Sequence, residues 1–286
     1  MGSGFSEAPL AVFTTLAPMG AAAFIVLAAA LFMAADKLDE AALRRLDKWT
    51  SLPVAVLVVG FIGAFFHLAN PLNAFGVFAG VGASPLSNEI LVGVLTALVC
   101  VVYWACGLAG KLGGATSGVR RGLAAACAVM AVVFAVFCGM AYMMGTIPTW
   151  NTPLSVVQML GFALVGGAVL GAATLAFAKV ELPQVNAFAV AMAVAGVVVA
   201  LVGLGVQAAG LDGIRNIWGS AAQLVPAFGG IIAAFAVCGL VGAAAVFANG
   251  RRKLSPALLG AACAVVAVGV FFARIGFYGL YMGIAL

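Results

Sequence analysis

The sequence predicts an all-α integral membrane protein, a bundle of eight transmembrane helices with both termini on the extracytoplasmic side. Three observations predict this class. The 286 residues are 66% hydrophobic and only 7% charged, whereas soluble domains carry about 25% charged residues. Eight apolar runs are each long enough for a helix that crosses a bilayer. The Lys and Arg residues collect in alternate connections between these runs.

The apolar runs form a single eight-helix domain over residues 1–286. Membrane-spanning β-strands need only about 9–11 residues, so runs of this length indicate helices. In order, the runs are 9–35, 51–69, 89–110, 121–145, 154–178, 186–209, 226–248 and 255–277. Charged or Pro- and Gly-containing segments end each run, beginning with the charged 36–50 and the Pro-, Gly- and Asn-rich 70–88.

The positive charges predict the orientation of the bundle. Eleven of the 13 Lys and Arg residues lie in alternate connections, which are 36–50, 111–121, 179–185 and 249–254. The other two are Arg215 and Arg274. Short cytoplasmic loops collect Lys and Arg, so both termini and loop 70–88 are expected outside the cytoplasm. The small net charge of +5 is therefore topology information and predicts no nucleic-acid partner.

Two scarce polar residues flank the outer loop 70–88. His67 is the only histidine of the chain, and Glu89 is one of eight acidic residues. Helical spacing places small or weakly polar residues on the same faces, namely Ala64, Gly63 and Gly60 below His67 and Gly93, Thr96 and Cys100 below Glu89. Both side chains are expected to face the bundle and to lie close together at its outer end.

Other polar residues near this end are candidate contacts for a ligand: Asn70, Asn88, Arg274 and Tyr278. Structural interpretations stand beside the functional ones. Glu89 suits the first turn of a helix capped by Ser87, and His67 suits an interfacial histidine bonded to a backbone carbonyl. Arg274 suits a side chain that reaches to the membrane surface, and Trp150 and the C-terminal tyrosines suit an aromatic belt.

The residue inventory excludes several redox centres. A haem held between membrane helices usually takes two histidines, and this chain has one. The six cysteines lie in apolar runs and lack the spacing of iron–sulfur or zinc ligands, so no metal site is expected. A membrane-soluble quinol fits the remaining chemistry, because its oxidation releases protons that a neutral imidazole and a partly desolvated carboxylate can accept.

Four stretches carry a resemblance to a known family: "MGSGFSEAPL", "HLANPLNAF…VGASPLSNEI", "TIPTW" and "ARIGFYGLYM". They are spread from residue 1 to residue 282 and resemble the membrane anchor subunit of the bacterial dimethyl sulfoxide reductase complex. The "SNE" segment and its histidine partner are the specific part, whereas the other helices match in hydrophobicity and number. This sequence departs from the family at Gly80, where members carry a basic residue.

The resemblance implies a haem-free anchor in the bacterial cytoplasmic (inner) membrane that binds and oxidises menaquinol. It implies two extracytoplasmic partners, a subunit with four iron–sulfur clusters and a catalytic subunit with a molybdopterin cofactor. The anchor itself would not act on the terminal substrate. The family's quinol-site histidine and glutamate fall on His67 and Glu89.

Three other functions stay open from the sequence. The chain could anchor a related polysulfide, tetrathionate or nitrite reductase, because the terminal chemistry belongs to another subunit. It could be a small-molecule transporter, although internal repeats and polar residues near the midplane, typical of transporters, are not evident. It could also be a structural anchor without quinol chemistry.

Overall fold

A computed structural model describes residues 2–67 and 71–283 of the chain. Ten α-helices form in these residues: α1 (Gly2–Phe5), α2 (Ala8–Met33), α3 (Glu40–Trp49), α4 (Ser51–His67), α5 (Pro85–Leu108), α6 (Gly118–Met140), α7 (Leu154–Phe177), α8 (Pro183–Gly210), α9 (Phe228–Arg252) and α10 (Pro256–Gly279). Two short antiparallel strands, β1 (Arg215–Asn216) and β2 (Gly219–Ser220), form a hairpin between α8 and α9.

Eight helices within the described residues are long and apolar enough to cross a membrane, which confirms the predicted number. The second of these is longer than predicted. Its first part is α3, a ten-residue helix in the segment that the sequence assigned to a loop, and it continues into α4. The side chain of Asp39 caps α3 by accepting a hydrogen bond from the Ala42 N–H at 2.7 Å.

The third span, α5, also begins earlier than predicted. Ser84 is its N-cap, and Pro85 follows in the first turn, where a missing N–H costs nothing. Glu89 therefore lies in the second turn of α5. The interpretation of Glu89 as a first-turn carboxylate capped by Ser87 is wrong, because the cap is three residues further back.

The first and fifth spans, α2 and α7, form the centre of the bundle and are buried along most of their length. Small residues let the helices approach closely, as is usual inside a membrane. A Cβ atom added at Gly20 of α2 would lie 2.5 Å from the backbone nitrogen of Leu57 in α4. One added at Gly60 would meet the backbone of Ala17, and one added at Gly161 of α7 would meet that of Ala200 in α8.

The bundle has two chemically different ends. At one end, called here the Arg120 end, Arg120 holds Asp47 through two hydrogen bonds of 2.6 and 2.9 Å. Arg45 and Arg121 donate to the final carbonyls of neighbouring helices, at Ala178 and Leu31. The sequence predicted these basic residues only as orientation signals, and the buried ion pair was not predicted.

The other end carries Glu89 and is called here the Glu89 end. The C-terminal part of α10 lies there, since α1 packs on it through Gly4 against Ile275 and Gly279. The connection from α8 to α9 also lies there, because Val225 contacts the position of Gly279. Most of the polar residues that the sequence analysis singled out thus belong to one end of the molecule.

Candidate functional site

Glu89 is buried inside the bundle, with 2% of its surface exposed. The residues below it on α5, Gly93, Thr96 and Cys100, are buried as well, which confirms the predicted face. Gly93 leaves room for two rings, Phe134 of α6 and Phe61 of α4, whose atoms would lie 2.8 and 3.0 Å from an added Cβ. These packed rings form the apolar floor below the Glu89 carboxyl group.

The Glu89 carboxyl group is only partly satisfied by the protein. The thiol of Cys138 on α6 lies beside it and interacts with it. Its Oε1 atom, however, has no hydrogen-bond partner among the described residues. Buried polar atoms nearly always have a partner, so an acceptor left open at this position indicates a place for a ligand or a water molecule.

Arg274 on α10 is the second buried ionisable residue at this end and has no exposed surface. Its Nε donates to Thr14 Oγ1 of α2 at 3.0 Å, and its Nη2 donates to the Tyr278 hydroxyl at 2.8 Å. Three aromatic rings surround its guanidinium carbon at 4.3 to 4.8 Å, those of Phe277, Tyr278 and Tyr142. Such contacts between a cation and ring faces stabilise a desolvated guanidinium.

The interpretation of Arg274 as a side chain that reaches to the membrane surface is therefore wrong. Hydroxyl groups and ring faces inside the protein replace water around it. Its Nη1 atom is buried without a hydrogen-bond partner among the described residues. Arg274 lies near enough to Glu89 for an electrostatic interaction, but the two side chains do not form a direct ion pair in the described structure. An open donor on Arg274 and an open acceptor on Glu89 thus lie in one region.

The predicted aromatic belt is also corrected at two positions. Trp150 and Tyr278 are buried, and the Trp150 indole donates to the Phe277 carbonyl at 2.9 Å while stacking on the Phe277 ring. Tyr281, by contrast, is 56% exposed, as a residue at the membrane surface would be. The buried rings form the wall around Arg274.

Tyr142 extends the network beyond α10. Its hydroxyl lies 2.6 Å from the hydroxyl of Tyr278, which already accepts a hydrogen bond from Arg274. Burial raises the pKa of the Tyr142 phenol well above its ordinary value. The Tyr142 hydroxyl therefore stays protonated at physiological pH and can serve as a hydrogen-bond donor.

His67 lies at the rim of the same end and not beside Glu89 in a direct pair. It is the last residue of α4, above Gly60 and Gly63, which are buried against α2. Its side chain is 40% exposed, and its Nδ1 lies 3.3 Å from Glu7 Oε2 at the start of α2. The small-residue face below His67 was predicted correctly. The contact between His67 and Glu7 was not predicted.

The depths of His67 and Glu89 can be compared through Phe61 and Gly93, which lie against each other. His67 is six residues beyond Phe61, about 9 Å at 1.5 Å per residue, and Glu89 is four residues from Gly93, about 6 Å. Both offsets are measured from the Phe61–Gly93 contact toward the Glu89 end, so His67 and Glu89 lie near the same level of the bundle. Their joint action on one ligand stays a prediction.

The remaining predicted residues divide. Tyr278 belongs to the Arg274 network, whereas Asn88 accepts a hydrogen bond from the Gly82 N–H at 2.7 Å and holds the preceding turn. Asn70 lies outside the described residues. At Gly80, an added Cβ atom would lie 2.6 Å from Ser87 Oγ. The Gly80 backbone therefore packs closely on the Ser87 side chain at the start of α5.

Two open clefts of ≈ 770 and ≈ 440 Å³ in the described structure do not include any predicted site residue. They lie at the Arg120 end, one beside Asp47 and Arg120 and one beside Lys179 and Lys253. The first is bordered by an ion pair that is already complete, and in the second Lys253 already pairs with Glu181 at 2.7 Å.

Sequence reasoning missed four polar contributors to the Glu89 end: Glu7, Thr14, Cys138 and Tyr142. Glu7 lies outside the predicted runs, and the other three read as ordinary weakly polar helix residues. Their importance comes from contacts between distant segments, such as the 264 residues that separate Thr14 from Tyr278. Sequence reasoning identified only the polar residues near the ends of the runs, which stand out because the chain has so few ionisable residues.

Comparisons with known proteins agree over the length of the chain. A family model described as "DMSO reductase anchor subunit (DmsC)" matches residues 1–280. The C chain of the anaerobic dimethyl sulfoxide reductase of Escherichia coli (strain K12) is 33% identical over 298 residues, covering 100% of this chain and 99% of that protein.

Two further relatives are similarly close. The YnfH chain, an anaerobic dimethyl sulfoxide reductase chain of the same strain, is 28% identical over 293 residues, covering 100% of this chain and 99% of its own length. The corresponding C chain of the Haemophilus influenzae enzyme is 29% identical over 282 residues, covering 99% of this chain and 97% of its own length.

Proposed function

This chain belongs to the family of dimethyl sulfoxide reductase anchor subunits, and on that premise we propose that it binds menaquinol at the Glu89 end and oxidises it. The substrate headgroup lies between Glu89 and Arg274, with His67 nearer the rim. The electrons leave to a partner subunit, and the protons leave to the extracytoplasmic side.

One observation carries this proposal. Glu89 Oε1 and Arg274 Nη1 are buried in the same region, and neither has a hydrogen-bond partner among the described residues. A quinol hydroxyl is both donor and acceptor, so it can donate to the carboxylate and accept from the guanidinium. Ionisable groups inside a membrane protein are costly and mark functional sites. The apolar floor and the aromatic wall suit a fused aromatic headgroup.

The two protons of the quinol need two acceptors. Oxidation of one quinol gives one quinone, two electrons and two protons. Glu89 takes one proton from the hydroxyl that it binds, and the His67 imidazole takes the other. Because His67 is half-exposed and lies at the end of α4, its proton can pass to water at the surface.

The electrons require partners outside this chain. We propose that a subunit with four iron–sulfur clusters accepts them and passes them to a molybdopterin subunit, which reduces dimethyl sulfoxide. The names of the relatives support dimethyl sulfoxide as the final electron acceptor. The whole assembly would be held at the extracytoplasmic face of the bacterial cytoplasmic membrane, consistent with the distribution of Lys and Arg.

The test measures oxidation of a menaquinol analogue by the assembled complex carrying Glu89→Gln or His67→Ala. Glu89→Gln keeps the shape of the side chain but removes the proton acceptor. General base catalysis typically contributes about 10²- to 10⁴-fold, so we expect kcat/KM to fall at least about 10²-fold for Glu89→Gln. A smaller loss, about tenfold, is expected for His67→Ala, because water at the rim replaces part of its role.

Glu181→Gln is the matched control, since Glu181 is an exposed carboxylate at the Arg120 end. It should oxidise the analogue at the wild-type rate. If complexes with Glu89→Gln and with His67→Ala both turned over normally, menaquinol oxidation at this site would be excluded.

A further inference from the structure

Glu7 lies against the only histidine of the chain, in a segment that the proposed quinol site does not use. Its Oε2 atom is 3.3 Å from His67 Nδ1, and the two side chains are 32% and 40% exposed. Among the residues that the structure describes, this is the ion pair at the Glu89 end, and the other three lie toward the Arg120 end.

The local structure frees the Glu7 side chain for this contact. Glu7 occupies the N-cap position of α2, where an acidic side chain normally accepts a hydrogen bond from the first turn. Here it makes no such bond. Its backbone is held on both sides, because its N–H donates to the Gly4 carbonyl at 3.2 Å and its carbonyl accepts from Ala11 at 2.9 Å. The backbone of Glu7 is thus held in place, and its carboxylate lies against His67 at the end of α4.

The Glu7–His67 pair lies between the buried site and the surface at the Glu89 end. Thr14, which holds Arg274, is seven residues after Glu7 on the same stretch of chain, or about 10 Å along the helix axis. The α1 helix before Glu7 packs on the end of α10, which carries Arg274. Glu7 and His67 therefore lie between the buried charges and the surface of the Glu89 end.

We propose that Glu7 is a positioning residue for proton transfer through His67, an inference that rests on the proposed quinol oxidation. A carboxylate at Nδ1 keeps the proton on that nitrogen and leaves the Nε2 lone pair free. A quinol O–H bond then breaks as an Nε2–H bond forms, and Glu7 stabilises the resulting imidazolium. The imidazolium returns its extra proton to water at the rim, while the quinol electrons leave separately to the iron–sulfur partner.

The kinetic test compares Glu7→Gln, Glu7→Asp and Asp212→Asn in the assembled complex. Glu7→Gln removes the charge that stabilises the imidazolium, so we expect kcat for quinol oxidation to fall about tenfold, with KM changed less than about twofold. Glu7→Asp keeps the charge and should recover most of this loss. Asp212 is the matched control, an exposed carboxylate of the same end whose contact is Ser220, and Asp212→Asn should behave as wild type.

A second measurement does not depend on turnover. Because the chain has a single histidine, selective ¹⁵N-histidine labelling of the full-length chain in lipid gives the ring signals of His67 alone. With the ring neutral, we expect Nδ1 protonated and Nε2 unprotonated, and Glu7→Ala should change this pattern. A purely structural role for Glu7 would lower the yield of folded chain without changing the pattern of the folded fraction.

The outcomes separate the two proposals. Normal kcat in Glu7→Gln, or an identical ring pattern with and without Glu7, would overturn the role of Glu7, while slow His67→Ala and Glu89→Gln complexes would leave quinol oxidation standing. Normal turnover in His67→Ala and Glu89→Gln would overturn quinol oxidation at this site, and the role of Glu7 in it would be lost as well.

Discussion

Arg274 is the residue whose burial most needs a functional explanation. A guanidinium stays charged at any physiological pH, and burying it without a paired carboxylate costs several kcal/mol. Thr14, Tyr278 and the three rings offset part of this cost. Its Nη1 atom, which has no hydrogen-bond partner among the described residues, does not contribute to that offset. This open donor is our reason for assigning Arg274 to the proposed quinol site.

Substitution of Arg274 by Lys tests this role at the residue scale. Lys keeps the charge but has one nitrogen, which cannot reach Thr14, Tyr278 and a ligand at the same time. We expect KM for the menaquinol analogue to rise about tenfold, which corresponds to about 1.4 kcal/mol. The control is Arg215→Lys, because Arg215 is exposed at the same end and its side chain donates to the nearby Asp212 carbonyl. An unchanged KM in Arg274→Lys would show that Arg274 is structural.

At the scale of elements, close helix contacts set the geometry of the Glu89 end. The packing of α2 against α4 brings Glu7 and Thr14 on one helix into line with His67 on the other. Gly60 is central to this contact, since an added Cβ atom would meet the backbone of Ala17. Backbone atoms cannot rotate away as side-chain ends can, so the two helices would have to move apart.

Gly60→Ala is therefore expected to destabilise the chain, although Ala favours helices more than Gly does. Overpacking of this kind typically costs about 1–3 kcal/mol, which would appear as a lower thermal midpoint of the chain in detergent. Gly205→Ala in α8 is the control, because no atom of the described residues lies within 4 Å of its added Cβ atom. Equal midpoints for the two variants would argue against a tight α2–α4 contact.

Much of the element structure could be predicted from hydrophobicity alone, because a bilayer requires long apolar helices. The start of α5 and the existence of α3 could not be predicted from hydrophobicity, because they depend on capping by Ser84 and Asp39 within polar segments. The burial of Glu89 could be predicted from the small residues on the same face of its helix. The hydroxyl groups and rings around Arg274 could not be predicted, because Tyr142 and Thr14 come from segments more than 100 residues away.

At the scale of the whole molecule, the two ends differ in charge and in chemistry. Eleven of the 13 Lys and Arg residues belong to connections at the Arg120 end. The Glu89 end holds the acidic and aromatic residues of the proposed site. The distribution of positive charge predicts that the Arg120 end faces the cytoplasm and that protons released at the Glu89 end leave outside.

Thiol labelling of intact cells tests this orientation. A cysteine introduced by Trp218→Cys lies at the tip of the hairpin, where Trp218 is 84% exposed. It should react with a membrane-impermeant reagent added from outside. A cysteine introduced by Arg252→Cys should react only after the membrane is broken, and the unmodified protein reports the background of the six native cysteines. The reverse pattern would contradict the orientation.

The central claim is that a quinol headgroup binds between Glu89 and Arg274, and binding of a fluorescent quinol-analogue inhibitor to the assembled complex tests it most directly. Saturable fluorescence quenching is expected for the wild type and for the Glu181→Gln control. Glu89→Gln should weaken the affinity about tenfold or more, because the carboxyl group that binds the analogue's hydroxyl is lost. Equal affinity in the wild-type and Glu89→Gln complexes would contradict the claim.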